Sequence, residues 1–431
     1  MKHSVILLIA FLINGKGFCQ PTFADTAAAW FDELRIVAKQ NAPLWKMDLY
    51  APVLLVNPAN REVFANVPDS AGQLQLNGSI YAGFLPQTVN ISNTSVTWAG
   101  QHWAMVMLPL PETRNSRIQL LIHELFHRAQ QQLGFLASNP ENNHLDKKDG
   151  RVLLRLELEA LRKAVLSPTR VELMKHIANA IYFRRQRHQV YPGSDTTENL
   201  LELNEGLSEF TGFMMSGREG YEARKYFANR ITSFTGSGSF IRSFAYETIP
   251  VYGFLLNPTR KGWNREITSS TNLAEFFASA FGTEAPAERR KNNAAAIGKE
   301  YGYTLIVAEE NAREEQFNQQ FVKYRQQFID TIHIEIPLIS MSISFDYTQQ
   351  FSMDTLGMVY PSIRITDRWG ILEAEKGVLI NPGWNQANIS YPLEFNGNKI
   401  SGDGWILELA EGYSLEKDEE KGVFIVKKTG D

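Results

Sequence analysis

The sequence lacks a second cysteine, a long apolar run and an excess of basic residues. Cys19 is the only cysteine among 431 residues, so no disulfide can form within the chain. No apolar run is long enough to cross a bilayer comfortably. The 43 Lys and Arg residues are outnumbered by 47 Asp and Glu residues, and the basic residues are not concentrated in any one region. This charge pattern argues against nucleic acid as a partner.

The N-terminus is typical of a secretory signal peptide. Lys2 is followed by an apolar run over 5–13, which is too short for a membrane span. We expect a signal peptide over 1–19, with cleavage after Ala24 as an alternative, and a periplasmic or extracellular location of bacterial type. The bulky Phe18 before Cys19 disfavours a lipid anchor. Once Cys19 is removed, any metal must be bound by His and carboxylate side chains.

The remaining chain has three regions that differ in their apolar pattern. Residues 50–111 show short strands, 116–333 show mostly helical spacing, and short strands return after 334. We therefore expect an α+β fold, with a first domain over 20–333 and a C-terminal all-β, sandwich-like domain over 334–431. Asn396-Gly397 predicts a hairpin turn in the second domain. Helices are predicted near 25–40, 116–133, 148–166, 170–188, 197–215 and 305–330.

The most specific motif is His-Glu-x-x-His, formed by His123, Glu124 and His127. The two histidines lie one helical turn apart, so both imidazoles project on the same side and can bind one Zn²⁺. Glu124 lies beside them, where it can act as a general base toward water activated by the metal. A surface helix whose histidines merely face solvent is the structural alternative.

The local context favours a helix at this motif. Ser116 and Gln119 form a possible capping box, and Gly134 is a natural terminator. We expect the opposite face of the helix to be buried, through an apolar stripe of Ile118, Leu121, Ile122, Leu125 and Ala129.

A catalytic zinc ion usually has three protein ligands, so a third is required. The extended motif with a further Gly and His is absent after His127, which argues against a metzincin arrangement. His144 and Asp146 lie in a polar loop and are interpreted as solvated. Glu157 and Glu159, on the next predicted helix, are possible carboxylate ligands.

The stronger candidate for the third ligand is Glu205. Glu205 and Glu209 are one turn apart in a predicted helix, so Glu205 can bind the metal while Glu209 orients a histidine ligand. Gly206 would allow this helix to approach the motif helix closely. The alternative is a solvated acidic face, because four glutamates form a single stripe: Glu198, Glu202, Glu205 and Glu209.

Together the two motifs resemble those of the gluzincins, the thermolysin-like superfamily of zinc peptidases. The resemblance covers about residues 50–260 and rests on His123-Glu124-x-x-His127 with the later Asn204-Glu205-x-x-Ser208-Glu209. It implies a zincin-like domain with one Zn²⁺ per chain, bound by His123, His127 and Glu205. Glu124 would be the base, and Glu209 would hold a histidine. The long interval between His127 and Glu205 departs from thermolysin and implies that the helices near 148–188 are an insertion.

The resemblance also implies an oxyanion donor and a strand that edges the cleft. Tyr246, on the helical segment after the glycine-rich stretch at 236–239, is the first candidate donor, and Tyr252 is the alternative. The strand at 103–108 would pair with an extended peptide. The C-terminal domain could contact a surface or glycan, although its tryptophans are better interpreted as core: Trp369, Trp384 and Trp405.

These observations predict an exported zinc metallopeptidase, either an endopeptidase or an aminopeptidase, that acts on peptides or proteins. Two other functions fit the same residues. One is an exported zincin-like binding protein without peptidase activity, and the other is a zinc hydrolase of a non-peptide amide.

Overall fold

The computed structural model describes residues 22–236, 238–283, 294–346 and 349–429. The expected signal peptide over 1–19, with Cys19, lies outside the described residues. Across the described ranges, no helix is long and apolar enough to cross a membrane. The fold is α+β, with a helical region and a separate C-terminal all-β domain.

The N-terminal sheet has six strands in the order β3-β4-β2-β1-β6-β5, and only the β1–β6 pair is parallel. Strand β1 is buried on both faces, because Val53 and Leu55 pack in the main core while Leu54 and Val56 pack in a second cluster with Trp103. The strands are β1 Val53–Val56, β2 Glu62–Ala65, β3 Gln75–Asn77, β4 Ile80–Phe84, β5 Thr94–Trp98 and β6 Gln101–Met107.

Helices cover one face of this sheet and continue to residue 330. The third and fourth helices pack against each other as a hairpin, and the second packs against the sixth. The helices are α1 Phe23–Asn41, α2 Arg114–Gln130, α3 Lys148–Leu166, α4 Arg170–Val190, α5 Ser194–Leu201, α6 Leu207–Met215, α7 Gly220–Phe234, α8 Ala245–Leu256, α9 Leu273–Ala280, α10 Ala294–Gly298 and α11 Tyr303–Arg325. Two π-helical turns extend them, Glu202–Gly206 between α5 and α6 and Gln326–Asp330 after α11.

The C-terminal domain consists of two open sheets. Their orders are β18-β19-β7-β14-β13-β10-β9 and β15-β16-β17-β12-β11-β8. The strands are β7 His333–Pro337, β8 Ser342–Phe345, β9 Phe351–Ser352, β10 Met358–Tyr360, β11 Ile363–Asp367, β12 Gly370–Ala374, β13 Val378–Ile380, β14 Gln386–Ser390, β15 Pro392–Asn396, β16 Lys399–Gly402, β17 Trp405–Leu409, β18 Tyr413–Asp418 and β19 Val423–Lys428.

Side chains from both sheets form one hydrophobic cluster in this domain. Trp369 and Trp405 are buried in it, and Trp384 packs against it, which supports the interpretation of these tryptophans as core residues. The hairpin predicted at Asn396-Gly397 is confirmed, because Asn396 pairs with Lys399 across a two-residue turn.

The strand expected to edge the cleft is not an edge strand. Strand β6 lies between β1 and β5, so its backbone is already paired on both sides. The reason is the hairpin that joins β5 to β6, in which Trp98 pairs with Gln101. Its two turn residues, Ala99 and Gly100, both have positive φ, which matches the twist of a two-residue hairpin. The free edge therefore belongs to β5, and the prediction for 103–108 was wrong.

Candidate metal centre

Helix α2 carries the His-Glu-x-x-His motif and begins two residues before the predicted capping box. Its N-cap is Thr113, whose side chain accepts a hydrogen bond from the backbone N–H of Ser116 at 3.4 Å. The capping box assigned to Ser116 and Gln119 was therefore wrong. The side-chain amide of Gln119 instead donates to Oε1 of Glu209 at 2.6 Å. The predicted stripe is buried as expected: Ile118, Leu121, Ile122, Leu125 and Ala129.

The motif face of α2 is also buried, because it packs against α6 and the π-helical turn before it. His123 and Glu124 are each 4% exposed and Glu205 is 8% exposed. This burial excludes the alternative of a surface helix with solvent-facing histidines. It also removes the alternative of a solvated acidic stripe, since all four of its members are buried: Glu198, Glu202, Glu205 and Glu209.

Three potential ligand atoms converge between these elements. Nε2 of His123 lies 3.0 Å from Nε2 of His127. Oε2 of Glu205 lies 3.4 Å from the first nitrogen and 3.2 Å from the second. All the ligand atoms of this group lie within 4.8 Å of one another. The buried group of His123, His127 and Glu205 could therefore bind a metal ion.

The hydrogen bonds on the far side of each imidazole fix its tautomer. Nδ1 of His123 faces Oε2 of Glu209 at 3.0 Å, and a carboxylate can only accept, so this nitrogen donates. Nδ1 of His127 faces Oε1 of Gln130 at 2.9 Å. The amide nitrogen of Gln130 donates to the carbonyl of Asn204, so its oxygen is the acceptor and His127 also donates from Nδ1.

Neutral histidines in these tautomers carry no proton on Nε2. The lone pairs of His123 and His127 then point toward each other and toward the carboxylate of Glu205, with no hydrogen between them. Such an arrangement is repulsive unless a metal ion or an added proton lies among the three atoms. This convergence is the strongest structural sign of a metal site in the described residues.

The electric field of the site also favours a cation. Burial alone would lower the pKa of His123, but hydrogen bonds to Glu205 and Glu209 outweigh it and raise this pKa to about 10. A proton on His123 and a bound metal ion would relieve the same excess of negative charge, so the two compete for the site.

Glu209 is held in place by partners other than histidine. Burial would raise the pKa of Glu209, but Arg230 and His123 lower it to about 2, so the side chain is a carboxylate. Arg230 donates to its Oε1 atom, and the amide of Gln119 donates to the same oxygen. Oε2 is thereby left to orient His123, the role that the sequence predicts for Glu209.

Glu124 is the second member of the motif and a cleft residue. Its Oε2 atom is buried and has no hydrogen-bond partner among the described residues. Burial raises the pKa of the Glu124 carboxyl above its ordinary value. A buried carboxyl group without a partner, beside three convergent donor atoms, is placed to exchange a proton with a bound molecule.

Of the two candidate tyrosines, the structure places only Tyr246 in the cleft. Its hydroxyl donates to Oε2 of Glu205 at 2.6 Å, and its ring stacks on the imidazole of His123 with the ring centroids 5.4 Å apart. Tyr252 is fully buried elsewhere and bonds to Glu157 at 3.0 Å. It therefore has no access to a molecule bound in the cleft.

Glycine allows close helix approach at this site, but at a different position from the one predicted. A Cβ on Gly206 would lie 2.8 Å from Ile249 of α8, so Gly206 does not face the motif helix. A Cβ on Gly212 would lie 2.4 Å from the carbonyl oxygen of Gln119. Gly212 is therefore the residue that lets α6 approach α2. The prediction that Gly206 allows this approach was wrong, because Gly206 faces α8.

The other carboxylates considered as ligands have different partners. Glu157 is fully buried between Arg184 and Arg187, which donate to its two oxygens at 2.7 and 2.8 Å. Glu159 pairs with Arg162 on the same helix, also at 2.7 Å. Neither glutamate lines the cleft.

The interpretation of His144 and Asp146 as solvated loop residues was wrong for both. Nε2 of His144 lies 2.7 Å from Oε1 of Glu198, and Asp146 is 5% exposed. Asp146 accepts from the backbone N–H of Phe240 and from Arg151. These long-range partners remove the two side chains from solvent, although the loop that carries them is polar in sequence.

The candidate metal ligands line a cleft of about 520 Å³. Strand β5 and the residues before it form one wall, through Thr94 and Ser95. Strand β8 of the C-terminal domain forms another, through residues 343–345. Both are edge strands of their sheets, so both present unpaired backbone groups.

Sequence reasoning missed two residues that support the site, Gln130 and Arg230, and gave Gln119 a capping role instead of its contact with Glu209. Gln130 follows His127 by three residues, which is a spacing that places the two side chains together on a helix. No local spacing indicates the role of Arg230, because this residue lies on a different helix, α7, and contacts Glu209 only in the folded structure. No protein-family model matches this chain, and the comparisons with curated proteins and with solved structures likewise give no match.

Proposed function

We propose that this protein is a zinc-dependent peptidase with a gluzincin-like site. The observation that carries the proposal is the convergence of lone pairs from His123, His127 and Glu205, with Nδ1 of each histidine already hydrogen-bonded. Two imidazoles and one carboxylate are a ligand set of catalytic zinc, which keeps a further position open.

Each residue of the cleft has a separate part in the proposed reaction. A bound zinc ion would supply a Lewis acid that polarises a carbonyl group and acidifies water. Glu124 takes a proton from the attacking water and returns it to the leaving amine, for which a raised pKa is suited. Tyr246 releases Glu205 and donates its hydroxyl hydrogen to the developing oxyanion.

The walls of the cleft favour an extended substrate. A peptide in extended conformation can add as a strand to the free edge of β5, which gives affinity through backbone hydrogen bonds. The cleft lining is rich in short polar side chains on this side, including Ser92, Asn93, Thr94 and Ser95. We propose that the substrate is a peptide or an unfolded protein segment. We also propose that the protein is exported from the cell and encounters its substrate there.

Metal analysis and one substitution test this proposal. The purified protein is expected to contain one zinc ion per chain and to cleave members of a peptide library, and a chelator should abolish the cleavage. Glu124→Gln should keep the zinc and lose cleavage by a factor of at least about 100, the usual effect of removing a general base. Glu159→Gln, outside the cleft, is the matched control and should keep both.

Three results separate this function from the alternatives. Full cleavage by Glu124→Gln would reject the mechanism. Zinc and tight peptide binding without any cleavage by the native protein would indicate a binding protein. Zinc and hydrolysis of small amides, but of no peptide, would indicate a non-peptide amidohydrolase.

A further inference from the structure

Arg242 is a cation in the cleft with which no other described residue forms an ion pair. Its side chain lines the cleft together with Tyr246, one helical turn further along the chain, and it is half-buried. Within the described part of the chain, Arg242 makes no hydrogen bond and no ion pair, whereas Arg230, the other arginine of the cleft, is paired with both Glu209 and Glu247. A half-buried guanidinium with five unused N–H donors is a binding group for an anion.

The backbone around Arg242 is fixed from two sides. Ile241 is fully buried and packs in the hydrophobic cluster of the C-terminal domain. Phe240 donates its backbone N–H to Asp146 at 3.0 Å, and the hydroxyl of Ser243 donates to the carbonyl of Ser239 at 2.9 Å. Arg242 therefore projects from a rigid segment between the helical region and the C-terminal domain, which reduces the entropy cost of binding a ligand.

The acidic residues of the cleft give Arg242 no ion-pair partner among the described residues. Three carboxylates line the cleft, those of Glu124, Glu205 and Glu209. A divalent cation would offset two of these charges, and Arg230 is already shared between Glu209 and the buried Glu247. None of these carboxylates forms an ion pair with Arg242 in the described part of the chain, so its guanidinium group is open to an anion of a bound substrate.

We propose that Arg242 binds a carboxylate group of the substrate and so selects peptides that present a carboxylate at this site. The inference rests on the proposed peptidase function and adds a substrate class to it. The carboxylate has two possible sources, the free C-terminus of a peptide and an Asp or Glu side chain. Either can accept two parallel N–H donors from the guanidinium group.

Peptide binding to the zinc-loaded Glu124→Gln protein tests this proposal without turnover. Two matched pairs of fluorescent peptides distinguish the sources: a free C-terminal acid against its carboxamide, and an internal Asp against Asn. In one of the two pairs, the peptide with the carboxylate is expected to bind about 10-fold to 100-fold more tightly than its amide counterpart. This is the range for a charge-assisted bidentate contact. Arg242→Gln should abolish that preference, and Arg242→Lys should retain part of it.

Arg368→Gln is the matched control. Arg368 is exposed in the turn between β11 and β12, and its side chain has no ion-pair partner among the described residues. Its replacement removes the same charge from the protein surface and should leave the acid preference intact. Equal affinity for acid and amide in both pairs, or a preference that survives Arg242→Gln, would overturn the role of Arg242.

A smaller probe separates this proposal from the proposed peptidase activity. N-acetyl amino acids and their amides can be compared by calorimetry on the native zinc-loaded protein. If the native protein cleaves no peptide but binds the N-acetyl acid through Arg242, carboxylate recognition stands and peptide hydrolysis fails. If peptides are cleaved without any acid preference, hydrolysis stands and the role of Arg242 fails.

Discussion

Oε2 of Glu209 lies 3.0 Å from Nδ1 of His123, on the side of the ring opposite the proposed metal. This contact selects the tautomer that leaves Nε2 free to bind the ion. We expect Glu209→Ala to weaken zinc affinity by about 10-fold to 100-fold, the usual cost of losing such an orienting partner. Competition with a coloured chelator measures this loss. Glu222→Ala, an exposed carboxylate at the start of α7, should leave the affinity unchanged.

Glu205 is expected to be the carboxylate that binds the metal. Glu205→Ala should reduce the zinc content after dialysis to well below one ion per chain, because two histidines alone do not complete a catalytic site. Glu159→Ala removes a carboxylate that was considered at the outset but pairs with Arg162. Elemental analysis of both variants measures their zinc content. If Glu205→Ala retained zinc and Glu159→Ala lost it, the third ligand would be Glu159 of α3 instead of Glu205.

Gly212 is expected to control the distance between the two helices that carry the proposed metal site. An added Cβ would lie 2.4 Å from the backbone carbonyl oxygen of Gln119, so α2 and α6 must separate. We expect Gly212→Ala to destabilise the fold by about 1–3 kcal/mol, as overpacking of a core usually does, and to weaken zinc binding as well.

Urea unfolding and zinc titration would measure the two effects of Gly212→Ala. Gly236→Ala is the control, since a Cβ there makes only an ordinary contact at 3.6 Å. Equal stability of the two variants would show that α6 can move without cost.

The buried ion pairs beside the site predict a pH dependence of stability. Burial raises the pKa of Glu198, but Arg187 outweighs it and holds this pKa well below 4.5. The folded state therefore binds this proton less readily than the unfolded state does. Its stabilising effect is complete at pH values above about 4.5 and is lost progressively as the pH falls below that value.

We expect Glu198→Gln to lower stability at pH 7 by about 3–5 kcal/mol, because Arg187 loses a buried partner. The difference from the native protein should shrink as the pH falls toward 3. Urea unfolding across this range is the measurement. Glu309→Gln, which removes a half-exposed partner of Arg155, should cost no more than about 1 kcal/mol at any pH. A constant difference between the Glu198→Gln and native proteins would contradict the assignment.

The parts of the site that local sequence could predict are those set by helical spacing. His123 and His127 share a face because they are four residues apart, and the same holds for Glu205 and Glu209. The predicted helices over 148–166 and 170–188 correspond to α3 and α4, within two residues at each end. In these segments the apolar period alone determines which side is buried.

The parts that could not be predicted depend on contacts between distant segments. From the sequence alone, Glu198 and Glu202 could be interpreted as solvated. Their spacing does not reveal their ion-pair partners, Arg187 and Arg184, which are buried with them. The π-helical turn at Glu202–Gly206 has no signal in the sequence. Arg242 belongs to no motif, and only the packing of its neighbours places it in the cleft.

The C-terminal domain is more than an appended module, because it completes the cleft. Residues 343–345 form one wall, and the hydroxyl of Ser344 donates to the carbonyl of Ile91 at 2.8 Å. Ile241 of the helical region is buried within the core of the C-terminal domain. A chain truncated after residue 331 would expose this isoleucine and release Arg242. Exchange of the C-terminal domain alone would therefore remove one wall of the cleft and the packing around Arg242, while leaving all three proposed metal ligands in place.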